Sequence, residues 1–467
     1  MMSIFIENGF IATMDKQKTV YRRGDLYIED DRIVAVGKVP EIPHQPDAVI
    51  DAEHKVVLPG FVNVHAHLQQ YFRGVYELIG EFYQVNLPLE GYRQPGDMAE
   101  LGLASCAELI YGGCTAAMVI YTYPDGFARS VAEAGNRAIL VGDIEEVDLN
   151  VLKTGAYKYL PEKGEAAFER ATDLYHNWNG QADGRITVAM GPKAPDLATA
   201  EMYLKCKEFA QAHDLRMTTH LSQSWREFKQ VQKLYGKTPP QHLHDLGVLN
   251  ERLTAAHCAY ATEKDIQLIA DSDIGILHCR FTTSPLVRWL DMGISIGLGT
   301  DDYHHDMFRL IRENLDGQHA RARLIEGAEE MLARDRLTFR PTFYEMLELA
   351  TRGGAETLGI DDEVGSLEPG KKADLITIDL RNPYLTPTKD PLTSIVLYGT
   401  PADVDTVIVD GKILKQEGKL TSIDMEQAVL TAQGKVEEII ERFFREHPEQ
   451  RERWEQKAPY MKPARME

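Results

Sequence analysis

The sequence predicts an α/β protein whose main body is a (β/α)8 TIM barrel and whose two chain ends together form a small β domain. Eight short apolar runs alternate with amphipathic segments in the middle of the chain, and the stretches before and after it have β-strand patterns. The 467 residues are enough for a large barrel with an accessory unit. A doubly wound parallel sheet would show a similar alternation and stays open as an alternative.

Residues 1–57 are predicted to be the first part of the small β domain. Apolar and β-branched residues cluster or alternate at 4–6, 25–29 and 32–36, and turn-forming pairs such as Asn8-Gly9 separate these runs. This stretch is therefore expected to contain strands and turns and no helix.

Residues 58–360 are predicted to be the barrel. Helical segments at 98–111, 200–213 and 262–270 lie between apolar runs, and the last begins with the pattern of a capping box, Thr262-x-x-Asp265. Strands that alternate with helices pair in parallel. The predicted strands are 62–67, 116–121, 138–143, 186–190, 217–220, 253–257, 274–278 and 294–301.

Residues 361–420 return to the β pattern, with runs at 373–378 and 404–409. We expect this stretch to pair with residues 1–57, because the two resemble each other more than either resembles the barrel. Residues 421–467 are predicted to be a C-terminal helix and a tail. The apolar spacing is helical from 425 to 447, Pro448 ends it, and the remainder is polar.

The composition excludes several classes of partner. Hydrophobic residues make up 43% and charged residues 26% of the chain, as in ordinary soluble proteins. A net charge of −21 argues against nucleic-acid binding, which rests on Lys and Arg. The five cysteines are scattered without a CxxC pair, which indicates a reducing compartment, and we expect the cytoplasm. We expect no signal peptide and no membrane-spanning segment.

Metal-binding side chains are concentrated where the predicted strands end. His65 and His67 end the first strand, and residues two apart project from the same face of a strand. The carboxyl ends of barrel strands meet at one face, where active sites lie. A single strand-end histidine is more often a core residue, but five of the eight strands end in this way, which predicts a metal site. The others are His220, His257, His278 and Asp301.

Such a site is suited to hydrolysis. A divalent ion held by neutral imidazoles and a carboxylate lowers the pKa of a bound water from about 16 to about 7, so that hydroxide is available at neutral pH. A carboxylate beside it can take the proton and return it to the leaving group. A further imidazole can orient the hydroxide or stabilise charge at the reacting centre.

Seven stretches carry a resemblance to a known family. They are 59–67 (PGFVNVHAH), 219–221 (THL), 256–258 (AHC), 276–279 (ILHC), 297–301 (GLGTD), 306–308 (DMF) and 365–375 (GSLEPGKKADL). In this order they resemble the amidohydrolase superfamily, in the branch of cytosine, guanine and adenosine-type deaminases and s-triazine hydrolases. The resemblance implies a (β/α)8 barrel with a small β-sandwich built from both chain ends.

The resemblance also implies roles for the strand-end residues. One divalent metal, most often zinc, with iron or manganese as alternatives, would be bound by His65, His67, His220 and Asp301. His257 would contact the hydroxide or the substrate, and Asp301 would also accept the proton. We expect a homo-oligomer and a small N-heterocyclic substrate. The expected substrate contacts are Gln70, Gln223, Lys193, His257 and His278, although Gln70 is equally compatible with a plain loop residue.

Gln223 is a departure from the family pattern. Many of these deaminases have a glutamate three residues after the fifth-strand histidine, which carries a proton to the ring nitrogen, whereas an amide donates a hydrogen bond but cannot carry a proton. Either the substrate needs no ring protonation, or Asp301 and His257 move the proton. A further option is another carboxylate, Glu227 or Asp302.

Lys193 is a second departure, because relatives often have His-Ala-Pro where this chain has Lys193-Ala194-Pro195. Three interpretations stay open. The lysine can bind an anionic group of the substrate, stand in for the carbamylated lysine of dinuclear relatives, or simply face the solvent.

The sequence therefore predicts a metal-dependent hydrolase that uses metal-bound hydroxide to displace an exocyclic amine from an N-heterocycle. Dechlorination or dealkylamination of an s-triazine-like ring, and hydrolysis of an amide or cyclic amide, are alternatives at the same site. A remote alternative is a non-catalytic barrel that serves as an assembly partner, which would be expected to lack metal ligands; all five expected positions are filled.

Overall fold

A computed structural model describes residues 2–39, 42, 44–67, 89, 91–280, 284–302, 304–325 and 340–461. Eight parallel strands follow one another in chain order around a barrel, from β6 to β13. Their bounds are β6 Phe61–Ala66, β7 Cys114–Tyr121, β8 Arg137–Ile144, β9 Ile186–Pro192, β10 Met217–Leu221, β11 Leu253–His257, β12 Gly275–His278 and β13 Ile296–Leu298. All eight predicted strands are confirmed, and the last is shorter than predicted.

The barrel closes between its last and first strands at residues that the sequence assigns to the metal. The N–H of Asp301, just after β13, donates to the carbonyl oxygen of His65 at 2.9 Å, and the N–H of His67 donates to that of Asp301 at 3.3 Å. A parallel bridge between Ala66 and Asp301 continues the pairing. Closure of the barrel and assembly of the candidate site therefore involve the same backbone.

Helices surround the barrel and extend along the C-terminal part of the chain. Thr262 and Asp265 form the predicted capping box, each side chain accepting the other's backbone N–H. The helices are α1 Asp97–Tyr111, α2 Pro124–Ala134, α3 Leu149–Leu152, α4 Pro161–Trp178, α5 Ala200–Ala212, α6 Trp225–Tyr235, α7 Pro239–Asp245, α8 Glu263–Ala270, α9 Leu286–Asp291, α10 Met307–Ile325, α11 Phe343–Ala350, α12 Arg352–Leu358, α13 Pro391–Tyr398, α14 Met425–Glu446 and α15 Pro448–Met461.

Both chain ends contribute to one nine-stranded mixed sheet, as predicted. Its order is β17-β16-β15-β14-β5-β1-β2-β3, with β4 paired to β1. The strands are β1 Ser3–Ala12, β2 Val20–Glu29, β3 Arg32–Gly37, β4 Ala48–Asp51, β5 Lys55–Pro59, β14 Leu375–Asp379, β15 Val404–Val409, β16 Lys412–Gln416 and β17 Lys419–Leu420. The predicted domain boundaries stay predictions; the chain passes from this sheet into the barrel at Gly60.

Gly60 joins β5 of the mixed sheet directly to β6 of the barrel. Its position demands glycine, because a Cβ there would overlap the Thr115 side chain at the start of β7. On the other side, β5 pairs antiparallel with β14, with Pro59 opposite Leu375. Gly60 alone thus separates β5, which pairs with the C-terminal part of the chain, from β6, which carries His65 and leads into His67.

The barrel interior is filled by small and branched side chains. Val62, Val64, Met118, Ile120 and Val141 belong to one buried cluster that the sheet encloses. A larger cluster packs the outer face of the strands against the helices. Residues at the C-terminal ends of the strands therefore lie above a barrel interior that is filled with side chains.

Three further features of the chain can be compared with the predictions. The polar tail predicted after Pro448 is wrong for most of its length, because α15 runs from Pro448 to Met461; proline is well tolerated in the first turn of a helix. The five cysteines are buried and form no disulfide. Among the residues that the structure describes, no helix combines the length and apolar character needed to cross a membrane.

Candidate active site

Three strand ends bring four side chains together at the C-terminal face of the barrel. The Nε2 atom of His67 lies 3.1 Å from that of His65 and 3.3 Å from that of His220. Asp301 Oδ1 lies 3.7 Å from His65 Nε2 and 3.6 Å from His67 Nε2. One donor atom from each of the three histidines falls within 4.8 Å of the others. These are the four residues for which the sequence predicts metal binding.

The second ring nitrogen of two of these histidines fixes their tautomer. The Nδ1–H of His67 donates to the carbonyl oxygen of Ile120 at 3.2 Å, and that of His220 donates to the carbonyl oxygen of Lys193 at 2.8 Å. Their Nε2 atoms must then carry lone pairs, which face each other at 3.3 Å. Two lone pairs at this distance repel each other unless a cation lies between them. The donor set therefore fits a divalent metal.

Burial keeps these imidazoles in the neutral form that binds metals. It lowers the pKa of His65 and His67 well below the usual range, and the neighbouring histidines add to the effect. It also lowers the pKa of His220. Because neutral imidazole is the ligand form, none of the three needs to lose a proton at pH 7 before it can bind a metal.

Asp301 has a raised carboxyl pKa and an uncommon backbone conformation. Burial raises the pKa of its carboxyl to about 7, although the Arg280 charge acts in the opposite direction. Its φ is 60°, in the left-handed region that non-glycine residues seldom adopt, and His257 has a φ of 75°. Strained residues of this kind concentrate at functional sites.

His257 lies beside the four converging residues, and its contact with the hydroxide or the substrate stays a prediction. Its ring is stacked on that of His220, with centroids 5.4 Å apart, and lies 5.6 Å from that of His65. Its position at the end of β11 therefore allows contact with a group bound at the histidines.

Cys279 is a residue of the site that the sequence did not single out. A donor atom of Cys279 lies within 4.8 Å of donor atoms of His65 and His257. The strand alternation contained the signal, because Leu277 belongs to the cluster inside the barrel and Cys279, two residues on, follows the same side.

His278 is directed differently from Cys279. It is fully buried, and its Nε2–H donates to the side-chain oxygen of Asn314 on α10 at 2.8 Å. Its contact with a substrate stays a prediction. Gln70, the other expected substrate contact near the first strand, lies outside the described residues.

Glu227 holds the turn that carries Gln223. Its Oε1 accepts the N–H of Ser222 at 2.8 Å, and its Oε2 accepts the N–H of Gln223 at 2.6 Å. Ser222 has a φ of 50°, so the carboxyl stabilises a strained turn just after β10. With both oxygens engaged by the backbone, Glu227 is poorly placed to carry protons. Of the two carboxylates considered for that role, Asp302 is the one that groups with His67 and Asp301.

Lys193 does not face the solvent, so that interpretation of the sequence is wrong. Its side chain is 9% exposed, and its Nζ lies 2.8 Å from Asp143 Oδ2 and 3.2 Å from Glu145 Oε2. The sequence could not show this, because the three residues come from two different strand ends. Two carboxylates favour the charged ammonium and oppose carbamylation, which would add a third negative group.

Known proteins are similar to this chain over most of its length. The model of the amidohydrolase family matches residues 56–414. A 5-methylthioadenosine/S-adenosylhomocysteine deaminase of Symbiobacterium thermophilum is 31% identical, over 89% of this chain and 94% of the relative. A 5'-deoxyadenosine deaminase of Methanosarcina acetivorans is 30% identical, over 95% of this chain and 99% of the relative.

Solved structures show the same fold. An adenosine deaminase from Xanthomonas campestris with bound zinc has a TM-score of 0.80 and 24% identity, over 94% of this chain and 98% of that one. An atrazine chlorohydrolase from Arthrobacter aurescens in complex with zinc has a TM-score of 0.81 and 22% identity, over 93% of this chain and all of that one.

Proposed function

The chain belongs to the amidohydrolase family, and from this membership we propose that it is a metal-dependent aminohydrolase, which releases the exocyclic amine of an N-heterocycle as ammonia. It acts on a carbon–nitrogen bond other than a peptide bond. The observation that carries the proposal is the convergence of His65, His67, His220 and Asp301, with the Nε2 lone pairs of His67 and His220 facing each other at 3.3 Å.

The four converging residues would hold one divalent metal, and we propose zinc. Imidazole nitrogens with one carboxylate are a typical donor set for zinc, and the two solved structures compared above contain it. When bound, such a metal supplies a Lewis acid that makes water available as hydroxide near neutral pH.

The protein supplies the proton chemistry. Asp301 would accept the proton of the attacking water and return it to the departing amine. A carboxylate beside the metal can take a proton and give it back, so one group can serve both steps. His257, stacked on His220, would donate or accept a hydrogen bond at the reacting centre.

The substrate we propose is an adenosine-type nucleoside. The relatives that cover most of this chain are named for deamination of adenine nucleosides modified at the 5' position. Asp302, which groups with His67 and Asp301, is the carboxylate that would provide the ring proton in place of the glutamate absent at position 223.

A second candidate is hydrolysis of an s-triazine-like ring, with release of chloride or an alkylamine. Gln223 favours it, since a good leaving group removes the need to protonate the ring. An amide at this position would then serve only to bind the ring by hydrogen bonds.

A panel of substrates tests these proposals. We expect the zinc-loaded protein to release ammonia from adenosine or its 5'-modified derivatives, and Asp301→Ala to abolish the release even where metal remains bound. Release of chloride or alkylamine from triazines, with no ammonia from any nucleoside, would establish the second candidate instead. Ammonia release by Asp301→Ala would contradict the role of this carboxylate.

A further inference from the structure

An exposed aromatic cluster lies at the C-terminal face of the barrel, next to the turn that carries Gln223. Its centre is Trp225, the first residue of α6. The ring centroid of Trp225 lies 5.4 Å from that of Phe228 and 5.5 Å from that of Tyr260, and both contacts are edge-to-face. Trp225 is nevertheless 58% exposed, so these two contacts leave much of the indole open to the solvent.

The exposure of Trp225 is unusual for a tryptophan of this chain, which contains four. Trp289 is fully buried. Trp178 is partly buried, and its indole N–H donates to Asp125 Oδ1 at 2.6 Å. Among the three tryptophans whose side chains the structure describes, Trp225 is the exposed one. An exposed indole gives up the free energy of burying a large apolar surface, and a group that covers it gains this free energy.

The aromatic cluster is attached to the strands that carry two of the site histidines. Trp225 follows β10, which carries His220, and Tyr260 follows β11, which ends in His257. The N–H of Tyr260 donates to the carbonyl oxygen of Ser222 at 2.8 Å, which links the two loops. Loops that follow barrel strands surround the active site. The open indole therefore lies at the edge of the candidate active site.

Hydrogen bonds hold the start of α6 in place before any ligand binds. The carboxyl of Glu227 accepts the N–H groups of Ser222 and Gln223. The side chain of Ser224 accepts the N–H of Glu227 at 3.2 Å, which caps the helix just before Trp225. A side chain on such a fixed support pays little conformational entropy when a ligand contacts it.

The size of the aromatic cluster favours a small ligand over a second copy of the chain. An aromatic side chain buries about 150–250 Å², and Phe228 and Tyr260 are already partly buried. A stable protein interface needs about 800 Å² on each partner. The cluster by itself is too small for this, whereas a single aromatic or alkyl group of a ligand would cover the open indole.

We propose that Trp225 and Tyr260 form a subsite for an aromatic or alkyl group on the part of the substrate that does not react. Stacking on an indole accepts many kinds of ring, because every aromatic ring has a π face. For the adenosine-type nucleoside proposed above, this group would be an aryl or alkyl thioether at the 5' position. The inference rests on the proposed function for that identity, whereas binding of an aromatic ligand at Trp225 does not depend on turnover.

The kinetic test compares 5'-phenylthio-5'-deoxyadenosine with 5'-deoxyadenosine, which lacks the aryl group. We expect the wild-type protein to prefer the phenylthio compound. The kcat/KM ratio of the phenylthio to the unsubstituted substrate should fall about fivefold or more in Trp225→Ala, because the stacking surface is lost. Trp225→Phe keeps an aromatic ring and should retain most of the preference. An unchanged ratio in Trp225→Ala would overturn the proposal.

The matched control is Tyr384→Ala, which removes another exposed aromatic side chain. Tyr384 follows β14 in a segment attached to the mixed sheet, where the N–H of Leu380 donates to the carbonyl oxygen of His54 at 3.0 Å. This variant should leave the ratio unchanged. A ratio that falls equally in the control would show that the loss of any exposed aromatic residue lowers it, and the subsite would be rejected.

Tryptophan fluorescence measures contact at Trp225 without turnover. The ligand is 5'-phenylthio-5'-deoxyinosine, which has no exocyclic amine to release. We expect it to shift the emission of the wild-type protein to shorter wavelength, because it removes water from the indole. Trp225→Phe, which retains the other three tryptophans, should show no such shift. An emission maximum that moves to longer wavelength when the ligand-free protein is diluted would show that a second copy covers the indole, and would contradict the proposal.

The two measurements separate the subsite from the proposed function. If no nucleoside is deaminated, but the inosine derivative shifts the emission of the wild type and not of Trp225→Phe, the subsite stands and the proposed function fails. If nucleosides are deaminated and neither the ratio nor the emission responds to the variants, the function stands and the subsite fails. An emission shift without any effect on the ratio would limit the contact to the product, contrary to the proposed place of Trp225 in substrate binding.

Discussion

The backbone carbonyl oxygen of Lys193 accepts two hydrogen bonds from His220, one from Nδ1–H at 2.8 Å and one from the backbone N–H at 2.9 Å. The same lysine extends its ammonium to Asp143 and Glu145. A single residue thus orients a predicted metal ligand through its backbone and forms ion pairs with two buried carboxylates through its side chain.

Replacement of Lys193 by Met should therefore weaken both folding and metal binding. Asp143 loses its ammonium, while Glu145 keeps the one of Lys163 at 2.7 Å; an unpaired buried carboxylate typically costs about 3–5 kcal/mol of unfolding free energy. The orientation of His220 should also loosen, with a loss of about 10–100-fold in zinc affinity. Urea unfolding of the metal-free protein and zinc competition with a chelator measure the two effects. Lys158→Met, at an exposed lysine paired with Asp148, is the control. Unchanged zinc affinity would show that the side chain does not support the ligand.

His220→Ala should abolish stoichiometric zinc binding, because it removes one of the three converging Nε2 donors. Metal content after dialysis measures this. The matched control is His242→Ala, which removes another buried histidine, one that stacks on Tyr235 at 3.8 Å. That variant should lose stability and keep its metal. Full zinc content in His220→Ala would contradict the assigned ligand set.

Gln223→Glu should raise or broaden ammonia release if the missing carboxylate limits deamination. A glutamate restores a group that can lend a proton to the ring, at a turn that Glu227 already fixes. Turnover of a nucleoside panel measures the effect, with Gln230→Glu on α6 as a control at a buried glutamine that bonds to Tyr159. Complete loss of activity would instead identify the amide of Gln223 as a substrate contact.

Glu227 should make the protein less stable as the pH rises. Burial and the nearby Asp196 carboxylate raise the pKa of Glu227 from 4.5 to about 8. The folded state then binds more protons than the unfolded state between these values, so stability from this group is present below pH 4.5 and is lost as the pH rises through about 8.

Glu227→Gln should flatten this pH dependence. Urea unfolding at pH 5.5 and 8 gives the slope for each protein, and the difference between wild type and variant isolates this residue. Glu345→Gln serves as control, because Glu345 also accepts a backbone N–H, from Thr342 at 2.7 Å, but its pKa is lowered. An identical slope in wild type and Glu227→Gln would refute the titration of Glu227 in this range.

The barrel, and the convergence of the four candidate ligands at one of its ends, could be predicted from the sequence because both depend on local patterns. Apolar runs bounded by turns mark strands, and a polar residue after such a run must lie at the strand end, which is how His220 and Asp301 were found. The pattern failed at the C-terminal tail, since the polar segment of α15 has no apolar stripe to reveal a helix.

Local sequence patterns could not predict which side chains from different strand ends contact each other. The burial of Lys193 depends on Asp143 and Glu145, about fifty residues earlier in the chain. Cys279 was missed because the neighbouring His278 was the more obvious candidate at this strand end. The alternation of side chains along the strand places Cys279, and not His278, on the side of Leu277. The role of Glu227 at the Ser222 turn likewise depends on a backbone conformation that residue types do not specify.

The position of Gly60 has a consequence for the order in which the protein is built. The strand ending in His65 and His67 is tethered through this single residue to β5, and β5 pairs with β14, more than three hundred residues further along the chain. A ribosome must therefore release Leu375–Asp379 before β5, which leads through Gly60 into the strand of these two histidines, can pair on this side. We expect a nascent chain that lacks these residues to hold zinc poorly, even after every predicted ligand has emerged from the exit tunnel.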